Sequence, residues 1–116
     1  MKQHLIVLDL DGTLLTDQQQ ISSKTKKTLL QAKEQGHQVM IATGRPYRAS
    51  DIYYHELGLT TPIVNFNGAY VHHPKNAAWQ TMHTPIDLSV VREVVDSVNH
   101  YEYENIIAGI ASIVKK

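Results

Sequence analysis

Residues 5–15 read Leu-Ile-Val-Leu-Asp-Leu-Asp-Gly-Thr-Leu-Leu. An uninterrupted apolar run stops at an Asp-Leu-Asp-Gly turn, the pattern of a strand buried in a parallel sheet. Side chains alternate along a strand, so Asp9 and Asp11 can converge just past its carboxyl end while Leu10 points into the packing. Gly12 lets the chain turn away without a side chain blocking that space. Two carboxylates so close repel, which calls for a proton or a cation between them. A hard divalent ion such as Mg²⁺ suits oxygen ligands. A bare Asp-x-Asp-Gly reads equally well as a turn capped by Asp11. The apolar strand before it and the Thr-Leu after it favour the functional reading.

Working outward, residues 16–20 are polar and form a loop. Ser22 or Ser23 caps a helix reaching about Gln35, with Ile21, Thr25, Leu29 and Ala32 on one side and Gly36 as the stop. His37–Ala42 is a second apolar strand, broken by Thr43-Gly44-Arg45. Pro46 opens a helix to about Leu57, which Gly58 ends. Thr61–Phe66 is a third strand, turning at Asn67-Gly68. Residues 69–72 and 77–82 pair as a hairpin around Pro74-Lys75-Asn76. Asp87 or Ser89 caps a last helix carrying Val90, Val91, Val94, Val95 and Val98 at helical spacing. Residues 105–116 fit a helical stripe or a strand, and their β-branched content favours the strand. Strands alternating with helices predict an α/β fold, a parallel sheet with helices covering it and right-handed connections, then a hairpin and a further helix.

The composition agrees. The chain has 116 residues, 42% of them hydrophobic, no cysteine, and eleven basic against eleven acidic residues. A chain of this mass can bury about two-thirds of its unfolded surface, enough for a core. Balanced charge argues against nucleic acid as a partner. The absence of cysteine excludes a disulfide scaffold or thiolate metal site and fits a cytoplasmic protein. No stretch reaches the roughly 18 apolar residues of a membrane span.

Ligands of open parallel sheets bind beyond the carboxyl ends of the strands, where Asp9, Asp11, Thr43 and Asn65 all fall. Thr43 offers a hydroxyl, Gly44 an unobstructed N–H, and the helix near Pro46 its positive end, together a cradle for an oxyanion or a phosphate. Arg45 can grip an anion bidentately. Taken alone, Thr-Gly is a turn and Arg45 a solvated cation; beside the Asp9 strand the cradle reading prevails. Asn67-Gly68 is first of all a turn dipeptide. His72 and His73 point to opposite faces of a strand, cannot share one ion, and read as surface histidines. Tyr53, Tyr54, Tyr101 and Tyr103 read as packing or surface aromatics, since no basic patch surrounds them.

Asp-Leu-Asp-Gly-Thr-Leu-Leu at 9–15, Ile-Ala-Thr-Gly-Arg at 41–45 and Asn-Phe-Asn-Gly-Ala at 65–69 together resemble the haloacid dehalogenase superfamily of phosphohydrolases, in its Cof-type branch of sugar-phosphate phosphatases. The resemblance implies that residues 1–84 are the N-terminal part of the hydrolase core, a partial Rossmann-like parallel sheet with helices on both faces and a hairpin, and 85–116 the opening of an α/β cap. It implies that Asp9 is the nucleophile forming an aspartyl-phosphate, and that Asp11 protonates the leaving alcohol and then activates water. Mg²⁺ would be held by the Asp9 carboxylate and the Asp11 carbonyl. Thr43 and Gly44 would bind the phosphoryl group, Gly12 would shape the turn, and Arg45 and Asn67 would sit near a small phosphorylated metabolite. The family's later lysine and its acidic Gly-Asp-x-x-Asn-Asp segment have no counterpart here.

Two rival expectations follow. One is a catalytically inactive, truncated chain that self-associates through an uncovered sheet edge or face. The other is a phosphoacceptor receiver domain, disfavoured because Asp51 lies in a predicted helix instead of ending a third strand.

Overall fold

The computed structural model describes residues 2–99. The chain divides into two compact units, Met1–His83 and Thr84–Lys116.

In the first unit, strand β1 (Leu5–Leu8) leads through a tight turn and loop to helix α1 (Ser23–Glu34), then to strand β2 (Gln38–Ile41). β1 and β2 pair in parallel, Leu5 opposite Gln38 through Leu8 opposite Ile41. A parallel bridge between Ala42 and Val64 sets strand β3 (Ile63–Asn65) beside the end of β2. The αβ alternation thus produces the parallel arrangement its pattern predicts.

Capping defines α1. The Ser22 hydroxyl accepts the Thr25 N–H at 3.2 Å, satisfying one of the donors a helix leaves open at its start. At the other end Lys33 Nζ donates to the Leu57 and Gly58 carbonyls at 2.7 and 2.6 Å. That ties α1 to the end of helix α2 (Asp51–Glu56).

Register puts Ile6, Leu8, Val39 and Ile41 on one face of the sheet. Val39 and Ile41 join a buried cluster with Leu10, Leu14, Leu29 of α1, and Tyr53, Tyr54 and Leu57 of α2, against which Ile6 and Leu8 pack. The opposite face is different within this unit: Leu5 is 59% and Val7 48% exposed. Among the described residues of this unit, the apolar run of β1 is packed on one side.

The expected helix from Pro46 to Leu57 is broken. A single 3₁₀ turn (Tyr47–Ala49) is followed by the six-residue α2, with Ser50 between them at φ −126° and ψ −16°. The cause is local. Ser50 Oγ lies 3.0 Å from the Pro46 carbonyl and 3.1 Å from the Tyr47 carbonyl, and donates to this pair. A serine hydroxyl serving nearby carbonyls competes with helix continuation.

The predicted hairpin also differs. Strand β4 (Tyr70–His72) pairs antiparallel with β3, Ile63 opposite His72. The strand on its other side is β5 (Met82–His83), later and shorter than the expected 77–82. Asn76 reshapes the intervening segment, its carboxamide oxygen accepting the Ala78 N–H at 3.1 Å.

In the second unit, helix α3 (Leu88–Asn99) starts at Asp87, whose Oδ1 accepts the Ser89 N–H and Oγ–H at 2.8 and 2.6 Å. Those bonds hold the Asp87 carboxyl below its usual range. No helix among the described residues is long and apolar enough to cross a membrane. The expected strand at 105–116, and Tyr101 and Tyr103, lie outside the described residues.

Candidate active site

Beyond the carboxyl ends of β1, β2 and β3, a cavity of about 280 Å³ is lined by Asp9, Ala42, Thr43, Gly44, Val64, Asn67 and Gly68. Four residues singled out in the sequence, Asp9, Thr43, Gly44 and Asn67, thus meet in one place although 58 positions separate the first from the last.

Asp9 follows β1 in extended conformation, and its Oδ1 accepts the Leu10 N–H at 2.7 Å. The Asp-Leu-Asp-Gly segment then turns tightly. The Leu14 N–H reaches back to the Asp9 carbonyl at 3.2 Å and the Leu15 N–H to the Leu10 carbonyl at 2.9 Å. Gly12 sits at φ +76°, the left-handed region that a side chain disfavours. Leu10 is fully buried, the anchor that keeps the carboxylates outside.

Thr43 is buried, and its hydroxyl accepts the Arg45 N–H at 3.0 Å. Its own N–H goes to the Val64 carbonyl (2.9 Å) and its carbonyl accepts the Asn67 N–H (3.1 Å). Gly44 is needed for closeness: a Cβ there would stand 3.0 Å from Asn67 Oδ1. Phe66 at φ +51° and Asn67 at φ +55° both occupy the left-handed region. Asparagine tolerates it; for phenylalanine it is strained, and strain of this kind collects at functional sites. Phe66 carried no signal in the sequence beyond preceding Asn-Gly.

Arg45 and Asp11 do not line the cavity. They hold each other: Arg45 Nε donates to Asp11 Oδ2 at 2.8 Å and Nη2 to Oδ1 at 2.6 Å, a bidentate pair. Nη1 donates to the Ala49 carbonyl at 3.0 Å, and the guanidinium lies 5.6 Å from the Tyr53 ring centre. The Arg45 hydrogen bonds and charge hold the Asp11 carboxyl below its ordinary range, and the guanidinium becomes still harder to deprotonate.

The positive helix end expected near Pro46 is absent from the cradle, because α2 begins only at Asp51 and is six residues long. Asn65 is buried and bonded to His72 instead of opening onto the cavity. His72, expected at the surface, is buried for the same reason: β4 carries it inward opposite Ile63, where Asn65 is within reach. Neither spacing nor residue type signalled that pairing.

The donors suit a hard cation in kind, the Asp9 carboxylate and the Asp11 carbonyl both being oxygen. Among the described residues no group of three His, Cys, Asp or Glu side chains gathers to hold a metal.

Residues 6–115 match the family model described as haloacid dehalogenase-like hydrolase. The chain belongs to that family. It is 51% identical over 109 residues to the 5-amino-6-(5-phospho-D-ribitylamino)uracil phosphatase YitU of Bacillus subtilis (strain 168), covering 94% of this chain and 40% of that protein. It is 40% identical over 72 residues to the pyridoxal phosphate phosphatase YbhA of Escherichia coli (strain K12), covering 62% of this chain and 26% of the relative. A haloacid dehalogenase-like hydrolase from Bacteroides thetaiotaomicron superposes with TM-score 0.74 at 30% identity, over 85% of this chain and 38% of that one. The haloacid dehalogenase-like chain therefore spans two-fifths or less of the length of each of these relatives.

Proposed function

We propose that this chain carries the nucleophile and the phosphate cradle of a phosphatase acting on small phosphorylated metabolites. The observation that supports this reading above others is the cavity that sets Asp9 against Thr43, Gly44 and Asn67. Asp9 supplies the attacking carboxylate oxygen. It bonds to phosphorus as the ester P–O bond breaks, leaving an aspartyl-phosphate and an alkoxide. Asp11 delivers a proton to that alkoxide, then takes one from the water that cleaves the acyl phosphate and restores Asp9. The Gly44 N–H and the Thr43 and Asn67 side chains orient the transferring oxygens.

Held by Arg45, Asp11 is ionised and fit to be the base. The acid half of the cycle requires the pair to loosen so that Asp11 can carry a proton. Magnesium, bound through the Asp9 carboxylate and the Asp11 carbonyl, would supply charge neutralisation for phosphoryl transfer.

The test is hydrolysis of an aryl phosphate with Mg²⁺. Turnover by the parent and its loss by a factor of 10³ or more in Asp9→Asn is the expected result for a nucleophile of this kind, on the order seen when such groups are removed. Equal turnover by Asp9→Asn would remove Asp9 from the role.

A second reading has its own observation. The exposed Leu5 and Val7 lie on a strand that, among the described strands, pairs only with β2. A non-catalytic chain associating through that surface would show no turnover above background, and a dimer or larger species by light scattering. A monomer would contradict it.

A further inference from the structure

Three buried polar side chains that the proposed chemistry does not use converge behind the cradle. Ser50 and Asn65 have no exposed surface and His72 is 9% exposed. They come from the helix break, from β3 and from β4. Asn65 Nδ2 donates to the Arg45 carbonyl at 2.9 Å and to Ser50 Oγ at 3.0 Å. His72 Nε2 stands 2.9 Å from Asn65 Oδ1. Ser50 in turn donates to the Pro46 and Tyr47 carbonyls. Among the described residues, no buried side-chain nitrogen or oxygen lacks a partner.

The chemistry of these groups fixes their orientation. A main-chain carbonyl only accepts, so the Asn65 nitrogen must face Arg45 and its oxygen must face His72. A carboxamide oxygen also only accepts, so His72 Nε2 carries a hydrogen. The ring is set for this by Tyr70, stacked at 4.3 Å, and by Tyr47, edge-on at 4.8 Å. The chain of bonds ends on the one residue whose N–H is held by the Thr43 hydroxyl and whose guanidinium holds Asp11. Arg45 is thereby gripped at its carbonyl from behind and at its N–H from the cradle.

We propose that Asn65 and His72 are positioning residues: a buried clamp that fixes the backbone at Gly44–Arg45, and through it the phosphate cradle and the reach of Arg45 to Asp11. The clamp rests on the reading of this cavity as a phosphoryl site for its consequence, and on geometry alone for its existence. Without the Nε2 hydrogen, Asn65 Oδ1 is left without a donor in a place closed to water. Relieving that deficit turns the carboxamide, which leaves the Arg45 carbonyl to the longer bond from the Phe66 N–H at 3.4 Å.

The experiment compares the parent with His72→Phe, which keeps a flat ring between Tyr70 and Tyr47, and His72→Gln, which restores an N–H donor. Two quantities are read: the backbone amide resonances of Gly44 and Arg45, and the affinity for inorganic phosphate in the presence of Mg²⁺. His72→Phe is expected to shift or broaden both resonances and to weaken phosphate binding about tenfold, the size expected for an orphaned buried acceptor. His72→Gln is expected to return both toward the parent, which a role in packing alone would not produce. Unmoved Gly44 and Arg45 resonances in His72→Phe, or no recovery in His72→Gln, would overturn the clamp. If His72→Phe does not fold, the nitrogen shifts of the parent imidazole decide: protonated Nε2 supports the clamp and unprotonated Nε2 refutes it. Absence of phosphate binding by the parent would count against the phosphoryl-site reading, while the resonances still judge the clamp.

Discussion

Asp11 makes its tightest contacts with Arg45, and that has a pH consequence. Its carboxyl is held below the ordinary value of 3.8 chiefly by hydrogen bonds from the guanidinium. A depressed carboxyl pKa stabilises the fold above the unfolded value and loses that contribution as pH falls through the folded one. The denaturation midpoint of the parent should therefore fall more between pH 5 and about pH 2 than that of Arg45→Met. The difference is small, because Asp11 is exposed and solvent screens the pair. Parallel pH profiles for the two would show that the pair is not formed in solution. Gly12 gives a second test at this scale. Nothing lies within 4 Å of where its Cβ would be, so Gly12→Ala meets no clash and costs only the conformational penalty of φ +76°. Chemical denaturation should show a loss of about 1 kcal/mol.

Helix α2 and its neighbours show what the element scale adds. The Tyr54 hydroxyl donates to the Thr61 carbonyl at 2.7 Å, and burial pushes its pKa up to about 12. An acid whose folded pKa is raised keeps its proton longer when folded. Stability therefore declines as pH rises from about 10, where the unfolded tyrosine ionises, toward 12. Tyr54→Phe should flatten that decline in an alkaline denaturation series, while costing about 1 kcal/mol near neutrality for the lost hydrogen bond. Equal alkaline profiles would contradict the assignment. The strands β1, β2 and β3, helix α1 and its Ser22 cap were legible in the sequence, because each rests on a local period or a local cap. The break at Ser50 was not, since serine is tolerated in a helix and only its bonds to two specific carbonyls reveal the interruption. The Asn65–His72 contact was hidden for a related reason: it depends on the antiparallel register of β3 with β4, which no residue type encodes.

At the scale of the whole molecule, the two ends of the sequence signal carry different information. Asp9, Thr43, Gly44 and Asn67 were readable because parallel topology gathers strand carboxyl ends whatever lies between them. The partnership of Arg45 with Asp11 was not, because a long side chain can turn to substrate or to a neighbouring carboxylate with equal ease. The sequence leads one to expect an apolar edge or face of the sheet left uncovered, and within the first unit Leu5 and Val7 are exposed. If association uses that face, Leu5→Lys combined with Val7→Lys should reduce any dimer seen by light scattering to monomer, since each places a charge in an apolar contact. An unchanged dimer would place the contact elsewhere.

The proposed chemistry begins with Asp9 receiving a phosphoryl group inside the cavity it shares with Thr43, Gly44 and Asn67. The most direct measurement exposes the chain to a small aryl phosphate with Mg²⁺, quenches in acid, and maps any phosphoryl adduct by mass spectrometry. The predicted result is an adduct on Asp9 that Asp9→Asn abolishes. No adduct, or one on Asp51 that survives Asp9→Asn, would contradict it.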